Sequence, residues 1–300
     1  MTINQKQLKT PLRYPGGKSR AISKMHQYFP DLRGYDEFRE PFLGGGSVAL
    51  GVTKLYPSLC VWVNDLYEPL INFWKTLQQR GPELSAELLR IKMKNNTPDS
   101  AKILFLNSKE YLSVEKSSSC DFNFDRAVSF YIVNKCSFSG LTEASSFSAQ
   151  ASDHNFTERG ISLLPEYSKI IQNWRITNLS YEDIIYDNYT GSFVYLDPPY
   201  DIKDNLYGRK GEMHKTFDHD KFAEICNTSN MNMMISYNSD QLVKNRFTGE
   251  QWKAYEFAHT YTMRSVGEYM KDQQERKELL LLNYDLRTER LVELDQSNED

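Results

Sequence analysis

The tetrapeptide DPPY at residues 197–200 directly follows an apolar run, Phe193–Leu196, that predicts a buried strand. An aromatic amino group is a weak nucleophile because its lone pair is delocalised into the ring. The Asp197 carboxylate and the Pro198 carbonyl are two acceptors that can hold both amino protons and aim the lone pair at an electrophile. Tyr200 offers an aromatic face for a base turned out of a duplex. The motif therefore favours alkylation of an amino nitrogen over a turn that is merely rigid.

A glycine-rich turn at residues 40–50 (EPFLGGGSVAL) stands between a predicted strand and a predicted helix. Gly44 and Gly46 permit a positive φ and a close approach of the backbone to a ligand, which the helix N-terminus would face. Residues 44–49 also fit the dinucleotide pattern G-x-G-x-x-[GA], although such a string occurs in turns that bind nothing. Asp65 ends the next predicted strand, where it can accept from ribose hydroxyls or cap the following helix. The two features predict an adenosine-containing cofactor, and DPPY favours S-adenosylmethionine over NAD.

Residues 10–20 (TPLRYPGGKSR) contain a second glycine turn, between Tyr14 and Lys18. The turn lacks the G-x-x-x-x-G-K spacing, which disfavours a nucleoside triphosphate site. Lys18 could neutralise a carboxylate, and Tyr14 could pack against a sulfonium or a sugar. Taken alone, the segment also fits an N-terminal turn with a solvated lysine.

The pattern of apolar residues predicts strands, then a helical block, then more strands. This order indicates an α/β sheet that carries an inserted helical subdomain. We expect a catalytic domain over 1–80 and 173–288, a helical insertion over 81–172, and an acidic tail over 289–300. Strands are predicted at 35–40, 60–63, 174–179, 193–196, 231–236 and 279–283, and helices at 47–55, at 69–79 and through most of 83–135.

Composition places the 300-residue chain among globular proteins, with 40% hydrophobic and 25% charged residues. The net charge is −4, and the segment 289–300 alone carries five acids and one base, so the rest of the chain is neutral. A neutral body can still present a basic groove, so net charge does not exclude a nucleic-acid partner. The polar N-terminus predicts no secretory signal, and purely apolar runs such as Leu279–Leu282 are far shorter than the roughly 20 residues that span a bilayer. Four cysteines without a C-x-x-C pair and five scattered histidines predict reduced thiols, no metal site and a cytoplasmic protein.

Together these motifs closely resemble the Dam-like, α-group DNA adenine methyltransferases, in the order in which that family carries them. The resembling segments are YPGGK (14–18), EPFLGGGSV (40–48), VND (63–65), NKCSFSGL (134–141), NFT (155–157), SYED (180–183) and DPPY (197–200). The resemblance covers nearly the whole chain. It implies a Rossmann-like S-adenosylmethionine-dependent methyltransferase sheet with an inserted helical target-recognition subdomain. The implied activity is methylation of adenine N6 within a short sequence of double-stranded DNA, by base flipping and direct methyl transfer.

The resemblance also implies roles for individual residues. S-adenosylmethionine would be held by Tyr14, Lys18, Phe42, Gly44 and Gly46, with Asp65 on its ribose, Tyr181 beside its adenine and Asp197 near its methionine end. Asp197 and Pro198 would hold the target amino group, and Tyr200 would stack on the flipped base. For DNA contacts we expect polar or basic residues of the insertion and of the segment after DPPY, although each also fits a solvated surface position. These are Lys135, Ser137, Ser139, Thr142, Arg159, Arg209 and Lys210.

Two segments depart from the family pattern. Members that recognise GATC usually carry an arginine shortly after the Gly-Leu pair, where this chain has Thr142 and Glu143. The NFT segment continues as Glu158-Arg159-Gly160 rather than as Pro-Phe-Gly. The cofactor and catalytic motifs are intact, so we expect activity but do not predict GATC as the site.

Other functions stay open at this point. A nicotinamide-dependent oxidoreductase could use the same glycine turn, but it would leave YPGGK and DPPY without a role. A DNA-binding protein that has lost catalysis would not need an intact DPPY. RNA or another amino compound could be the substrate. We expect a monomer, acting alone or beside a cognate restriction endonuclease.

Overall fold

Seven strands form one sheet in the order β3-β2-β1-β4-β5-β7-β6. The structure is a computed structural model, and it describes residues 10–14, 16–114, 122–140, 145–200, 217–258 and 277–286. The strands are β1 (Glu37–Glu40), β2 (Cys60–Asn64), β3 (Trp174–Thr177), β4 (Ser192–Leu196), β5 (Asn232–Asn238), β6 (Lys253–Ala258) and β7 (Lys277–Leu282). Strands β1 to β5 are parallel, whereas β7 runs antiparallel to both β5 and β6. The predicted α/β class is confirmed.

Eleven α-helices lie in the part of the chain that the structure describes. They are α1 (Ile22–Met25), α2 (Ser47–Leu55), α3 (Glu68–Lys94), α4 (Pro98–Ser113), α5 (Phe124–Cys136), α6 (Ala149–Asn155), α7 (Glu158–Ser162), α8 (Leu164–Ile170), α9 (Tyr181–Tyr186), α10 (His219–Thr228) and α11 (Gln241–Arg246). Short 3₁₀ turns are at Lys18–Arg20, His26–Tyr28, Leu32–Gly34 and Phe138–Gly140. Helices α3 to α8 all fall between β2 and β3 along the chain.

Apolar cores cover both faces of the sheet. Every residue of β4 is buried, and successive side chains of a strand point to opposite faces. Phe193 and Tyr195 accordingly join one core, which also contains residues of α2, α3 and α5, while Val194 and Leu196 join the core under α10 and α11. This two-sided burial is why the central strands read as continuous apolar runs rather than as an alternating pattern.

Helix α3 continues well past the predicted end at residue 79. It contains Pro82, whose ring and missing N–H disrupt a regular helix. The backbone adapts at Arg80, which has the non-helical angles φ −134° and ψ 32°, and the helix resumes after this kink. The predicted domain boundary at 80/81 therefore falls inside one helix.

The helices of the insertion share a core with the sheet. Leu84, Phe105 and Tyr131 belong to the same buried cluster as Phe38 of β1 and Val61 of β2. This shared packing holds the inserted helices against the side of the sheet on which α2 lies. A separate subdomain with a target-recognition role remains a prediction.

Strand β6 has no counterpart among the predicted strands. Among the described strands it is the last of the sheet, and its one described neighbour is β7. Tyr255 and Phe257 pack against the core, whereas Glu256 between them is exposed. Two apolar positions in a short, partly charged segment are a weak sequence signal for a strand. Strand β7 also begins at Lys277, two residues before its predicted start.

Gly81 provides a test of the packing between α3 and α8. A Cβ atom at Gly81 would overlap Ser168 Cβ and lie 2.6 Å from Ser168 Oγ. We therefore expect Gly81→Ala to lower the free energy of unfolding by about 1–3 kcal/mol, despite the better helix propensity of alanine. Denaturant unfolding followed by circular dichroism measures this change.

Gly34→Ala is the matched control, because a Cβ there would meet no heavy atom within 4 Å. Ser168→Gly removes the overlapping Cβ, so Gly81→Ala should cost less stability in a Ser168→Gly background than in the wild type. A Gly81→Ala protein as stable as the wild type would show that the two helices do not pack as described.

Candidate active site

Three parallel strands end at one edge of the sheet and present the sequence motifs there. Strand β1 leads into the glycine turn, β2 ends just before Asp65, and β4 ends just before Asp197. The carboxyl edge of a parallel sheet is where open α/β proteins bind ligands. The local sequences place the motifs at this edge because the apolar runs of β2 and β4 end in polar residues, and β1 (EFRE) ends before Pro41.

The glycine turn adopts a backbone that a side chain would not permit. Gly44 and Gly46 have φ values of 48° and 68°, and Gly46 caps the N-terminus of α2. A Cβ atom at Gly46 would lie 2.7 Å from Trp74 Cζ2, and one at Gly44 would lie 2.9 Å from the ring of Tyr14. The turn therefore needs glycine for its conformation and for the close packing of these two rings.

Asp65 is buried under the glycine turn. Its carboxylate accepts from the backbone N–H of Gly44 at 2.9 Å and from that of Tyr67 at 3.0 Å. Burial raises the pKa of Asp65 to about 6, although both hydrogen bonds oppose the shift. Asp65 thus connects the turn after β1 to Tyr67, the residue that precedes α3. Its role on a ribose stays a prediction.

Lys18, in the first 3₁₀ turn, forms an ion pair with Asp197, which directly follows β4. Lys18 Nζ donates to both oxygens of the Asp197 carboxylate, at 2.7 and 2.8 Å. The lysine side chain is 2% exposed and that of the aspartate 20%, so the aspartate keeps one open side. Burial raises the pKa of Asp197 above its ordinary value, and the ammonium of Lys18 opposes this shift. The geometry leaves the carboxylate aligned and reachable at the end of β4.

Tyr200 is held by its hydroxyl. That oxygen accepts from Lys18 Nζ at 2.7 Å and donates to Glu278 Oε1 at 2.5 Å. Ser236 Oγ donates to the same glutamate oxygen at 2.9 Å. Lys18 Nζ also lies 4.9 Å from the centroid of the Tyr200 ring. Both Asp197 and Tyr200 of DPPY are therefore fixed by one buried lysine.

An aromatic cluster lies beside the glycine turn. The rings of Phe42 and Tyr181 stack with centroids 5.4 Å apart, and Phe217 contacts them at 5.8 and 5.5 Å respectively. All three residues are partly exposed. The structure thus brings together the two predicted cofactor residues Phe42 and Tyr181 and adds Phe217, which sequence reasoning missed.

Sequence reasoning also missed two buried glutamates at this edge. Glu40 accepts from the N–H of Ala49 at 2.8 Å, and burial raises its pKa well above the ordinary value. Glu278 is fully buried at the start of β7. Each had a sequence signal, because an acid directly precedes the glycine turn in one case and heads an apolar run in the other.

The predicted DNA contacts fall in different environments. Lys135 lies in the last turn of α5 rather than in a loop and is buried, with Nζ 5.3 Å from the ring of Tyr131; burial lowers its pKa to about 8. Ser137 is also buried and donates to a backbone carbonyl, whereas Arg159 is exposed on α7. Both buried positions reflect packing of the end of α5, which the local polarity of the sequence did not indicate. The side chain of Ser139, together with Thr142, Arg209 and Lys210, lies outside the described residues.

Asn134 joins the end of α5 to the segment that carries YPGGK. Its side-chain amide donates to the carbonyl of Arg13 at 2.6 Å and accepts from the Arg13 N–H at 3.0 Å. Arg13 in turn donates to the Ser137 carbonyl at 2.8 Å. The inserted helices are thereby attached directly to the region around Lys18.

Across the described ranges, no three His, Cys, Asp or Glu side chains cluster as a metal site would require. Within the same ranges, no helix has both the length and the apolar character of a membrane-spanning segment.

The strand order, with β7 antiparallel beside β5, and the motifs at the carboxyl edge together define a Rossmann-like methyltransferase. Residues 14–265 match the family model of the D12 class N6 adenine-specific DNA methyltransferases. The chain belongs to this family and is an adenine-specific DNA methyltransferase, which confirms the resemblance found in the sequence.

Several curated proteins are similar to this chain. The type II methyltransferase M.MjaIII of Methanocaldococcus jannaschii is 25% identical over 93% of this chain and 100% of its own length. The type II methyltransferase M1.LlaDCHI of Lactococcus lactis subsp. cremoris is 26% identical over 66% of this chain and 67% of its own. A DNA N-6-adenine-methyltransferase of Escherichia phage P1 is 30% identical over 43% of this chain and 15% of its own.

The raised pKa of Asp65 predicts a pH-dependent contribution to stability. Its pKa is about 6 in the folded chain, against an ordinary value of 3.8. Between these values the folded state binds more protons than the unfolded state, so this contribution falls as pH rises. We expect the stability of the wild type relative to Asp65→Asn to fall by roughly 2 kcal/mol from pH 4 to pH 7. Denaturant unfolding of both proteins across this range measures the difference, and parallel curves would contradict the assigned burial.

Proposed function

We propose that this protein transfers a methyl group from S-adenosylmethionine directly to N6 of adenine, within a short specific sequence of double-stranded DNA. The observation that carries the proposal is the pairing of Asp197 with buried Lys18 at the end of β4, with Tyr200 on the same lysine. This arrangement presents a carboxylate acceptor beside an aromatic ring at the edge where the glycine turn lies. Methylation of an amino nitrogen on a base needs these two groups side by side.

The residues around the glycine turn fit S-adenosylmethionine. The left-handed backbone at Gly44 and Gly46 shapes the turn that would approach the cofactor, and the buried Asp65 carboxylate suits the ribose hydroxyls. Phe42 and Tyr181 provide partly exposed aromatic faces for an adenine ring. The cofactor supplies an electrophilic methyl group on a sulfonium. Tyr14, whose ring packs over Gly44, lines the same region.

Asp197 and Pro198 would hold the target amino group. Each would accept a hydrogen bond from one N–H of the amino group. These two bonds would turn the nitrogen towards tetrahedral geometry and direct its lone pair at the methyl group. Lys18 pairs with Asp197, so we assign to it the orientation of this carboxylate. As the N–C bond forms and the S–C bond breaks, the nitrogen gains a positive charge. It then loses one proton, to Asp197 or to water.

Tyr200 would stack on the target adenine after that base has left the duplex. An amino group paired inside a duplex cannot reach Asp197, so the base must flip out. The hydroxyl of Tyr200 is bonded to Lys18 and Glu278, and these bonds fix the ring that receives the base. We place the DNA along the inserted helices, where Arg159 is exposed. The assignment of 81–172 as a target-recognition subdomain belongs to this proposal.

The setting of the reaction is also part of the proposal. Two relatives are named as type II methyltransferases, which supports a role beside a restriction endonuclease. DNA and S-adenosylmethionine meet in the cytoplasm, and we expect a single chain to act on the duplex.

Asp197→Ala tests the proposal. The variant should fold and bind S-adenosylmethionine but lose methyl transfer by at least about 100-fold, because no carboxylate aligns the amino group. The measurement uses isotopically labelled cofactor and unmethylated DNA, followed by digestion to nucleosides and mass spectrometry. The wild type should give labelled N6-methyldeoxyadenosine. Asp220 is an exposed acid on α10, and the control variant Asp220→Ala should behave like the wild type.

Three outcomes would contradict the proposal. Wild-type turnover by Asp197→Ala would remove the assigned role of this carboxylate. DNA binding without methyl transfer by the folded wild type would favour a protein that has lost catalysis. Methyl transfer to RNA in preference to DNA would change the substrate.

A further inference from the structure

We propose that Glu278 is a positioning residue for methyl transfer, which acts by fixing Tyr200 and Lys18. The inference rests on the proposed function, because it concerns the ring that would receive the flipped adenine. Glu278 lies outside every motif that the sequence analysis singled out.

The fold brings Glu278 to the site through the antiparallel strand of the sheet. Glu278 pairs with Asn238 at the carboxyl end of β5 and with Phe257 of β6. Because β7 runs opposite to the parallel strands, its first residues lie at the edge where the other strands end. The side chain is fully buried there, at 0% exposure.

One carboxylate oxygen of Glu278 contacts three side chains of the site. Oε1 accepts from the Tyr200 hydroxyl at 2.5 Å and from Ser236 Oγ at 2.9 Å. The same oxygen lies 3.4 Å from Lys18 Nζ. Glu278 therefore contacts the two residues that hold each other and Asp197 in place.

A buried carboxylate is costly unless charged and hydrogen-bonding partners surround it. The rest of β7 is apolar (LLLL at 279–282), so an apolar residue at position 278 would pack at lower cost. A purely structural position would not need an acid here. Its partners explain the choice, because an anionic acceptor forms a short, strong bond with a tyrosine hydroxyl and attracts the lysine ammonium.

The hydrogen bonds to Tyr200 have a defined direction. The hydroxyl accepts from Lys18 Nζ at 2.7 Å and donates to Glu278 Oε1 at 2.5 Å, and it lies 3.2 Å from Ser236 Oγ, which itself donates to Glu278. A tyrosine held at both sides of its oxygen cannot swing about its side-chain bonds without breaking one of the two. Glu278 thus sets the plane of the ring, and through Lys18 it supports the position of Asp197.

Glu278→Gln tests this role, because the substitution keeps the volume and removes the charge. We expect the single-turnover rate of methyl transfer to fall about 10- to 100-fold, as small misplacements of reacting groups do. Affinity for S-adenosylmethionine, measured by titration calorimetry, should change much less than the rate, because Glu278 lies away from the glycine turn and Lys18 keeps Asp197 as its partner. Glu256→Gln on the neighbouring strand β6 is the matched control, since this glutamate pairs with Ser239 and Lys244 at the surface.

A double-mutant cycle with Tyr200→Phe separates positioning from general destabilisation. The phenylalanine keeps the ring and removes the hydroxyl that Glu278 accepts. Because the glutamate acts in part through that hydroxyl, the loss of rate in the double variant should be smaller than the product of the two single losses. Multiplying effects, or a Glu278→Gln rate equal to the wild type, would overturn the proposal.

The wild-type protein tests the proposed function independently of the Glu278 variants. A folded wild type without methyl transfer would refute the function, whereas normal wild-type transfer with an unaffected Glu278→Gln would refute only the positioning role. If Glu278→Gln fails to fold, Tyr200→Phe alone tests whether the hydrogen bond between Tyr200 and Glu278 supports methyl transfer. The proposal predicts a loss of at least about tenfold in its rate with unchanged cofactor affinity, and a wild-type rate would overturn it.

Discussion

The ion pair between Lys18 and Asp197 is the interaction on which the site depends. It joins two residues 179 positions apart, one in the 3₁₀ turn at Lys18–Arg20 and one directly after β4. A buried ammonium is stable only with anionic and hydrogen-bonding partners around it, and the DPPY turn provides them. The pair in turn fixes Tyr200. The N-terminal glycine turn, the end of β4 and the start of β7 therefore form one unit.

Buried carboxylates are a second constraint at this edge. Burial raises the pKa of Glu40, Asp65 and Asp197, and each carboxylate is compensated differently. Glu40 accepts from the first turn of α2, Asp65 from two backbone N–H groups, and Asp197 from Lys18. Such groups cost stability and cluster where a protein performs chemistry. Here they fix the turns that would face cofactor and base.

Local signals were enough to predict much of the fold. Helix α2 begins and ends where the sequence indicates, because Gly46 ends the turn before Ser47. The burial of β4 and the turn after it follow from an apolar run that two prolines terminate. The same kind of reasoning failed at Arg80, where a kink allows α3 to pass a proline, and at β6, whose two apolar positions are a faint pattern.

The sequence pointed to individual residues of the candidate site, but not to the contacts between them. Asp197, Tyr200 and Lys18 each had a chemical rationale, yet nothing local indicates that Lys18 pairs with Asp197. The strand order makes that contact, and it also brings in Glu278 through an antiparallel strand. The burial of Lys135 was not predictable from its neighbours. The residues around it are polar, but the packing of α5 buries the lysine.

Single-molecule sequencing of treated DNA tests the central claim most directly. Unmethylated genomic DNA is incubated with S-adenosylmethionine and either the wild type or a folded Lys18→Ala variant, and modified bases are then mapped. The account predicts methyladenine at one recurring short sequence with the wild type and almost none with the variant. Absence of methyladenine with a folded, cofactor-binding wild type, or equal methylation by Lys18→Ala, would contradict it.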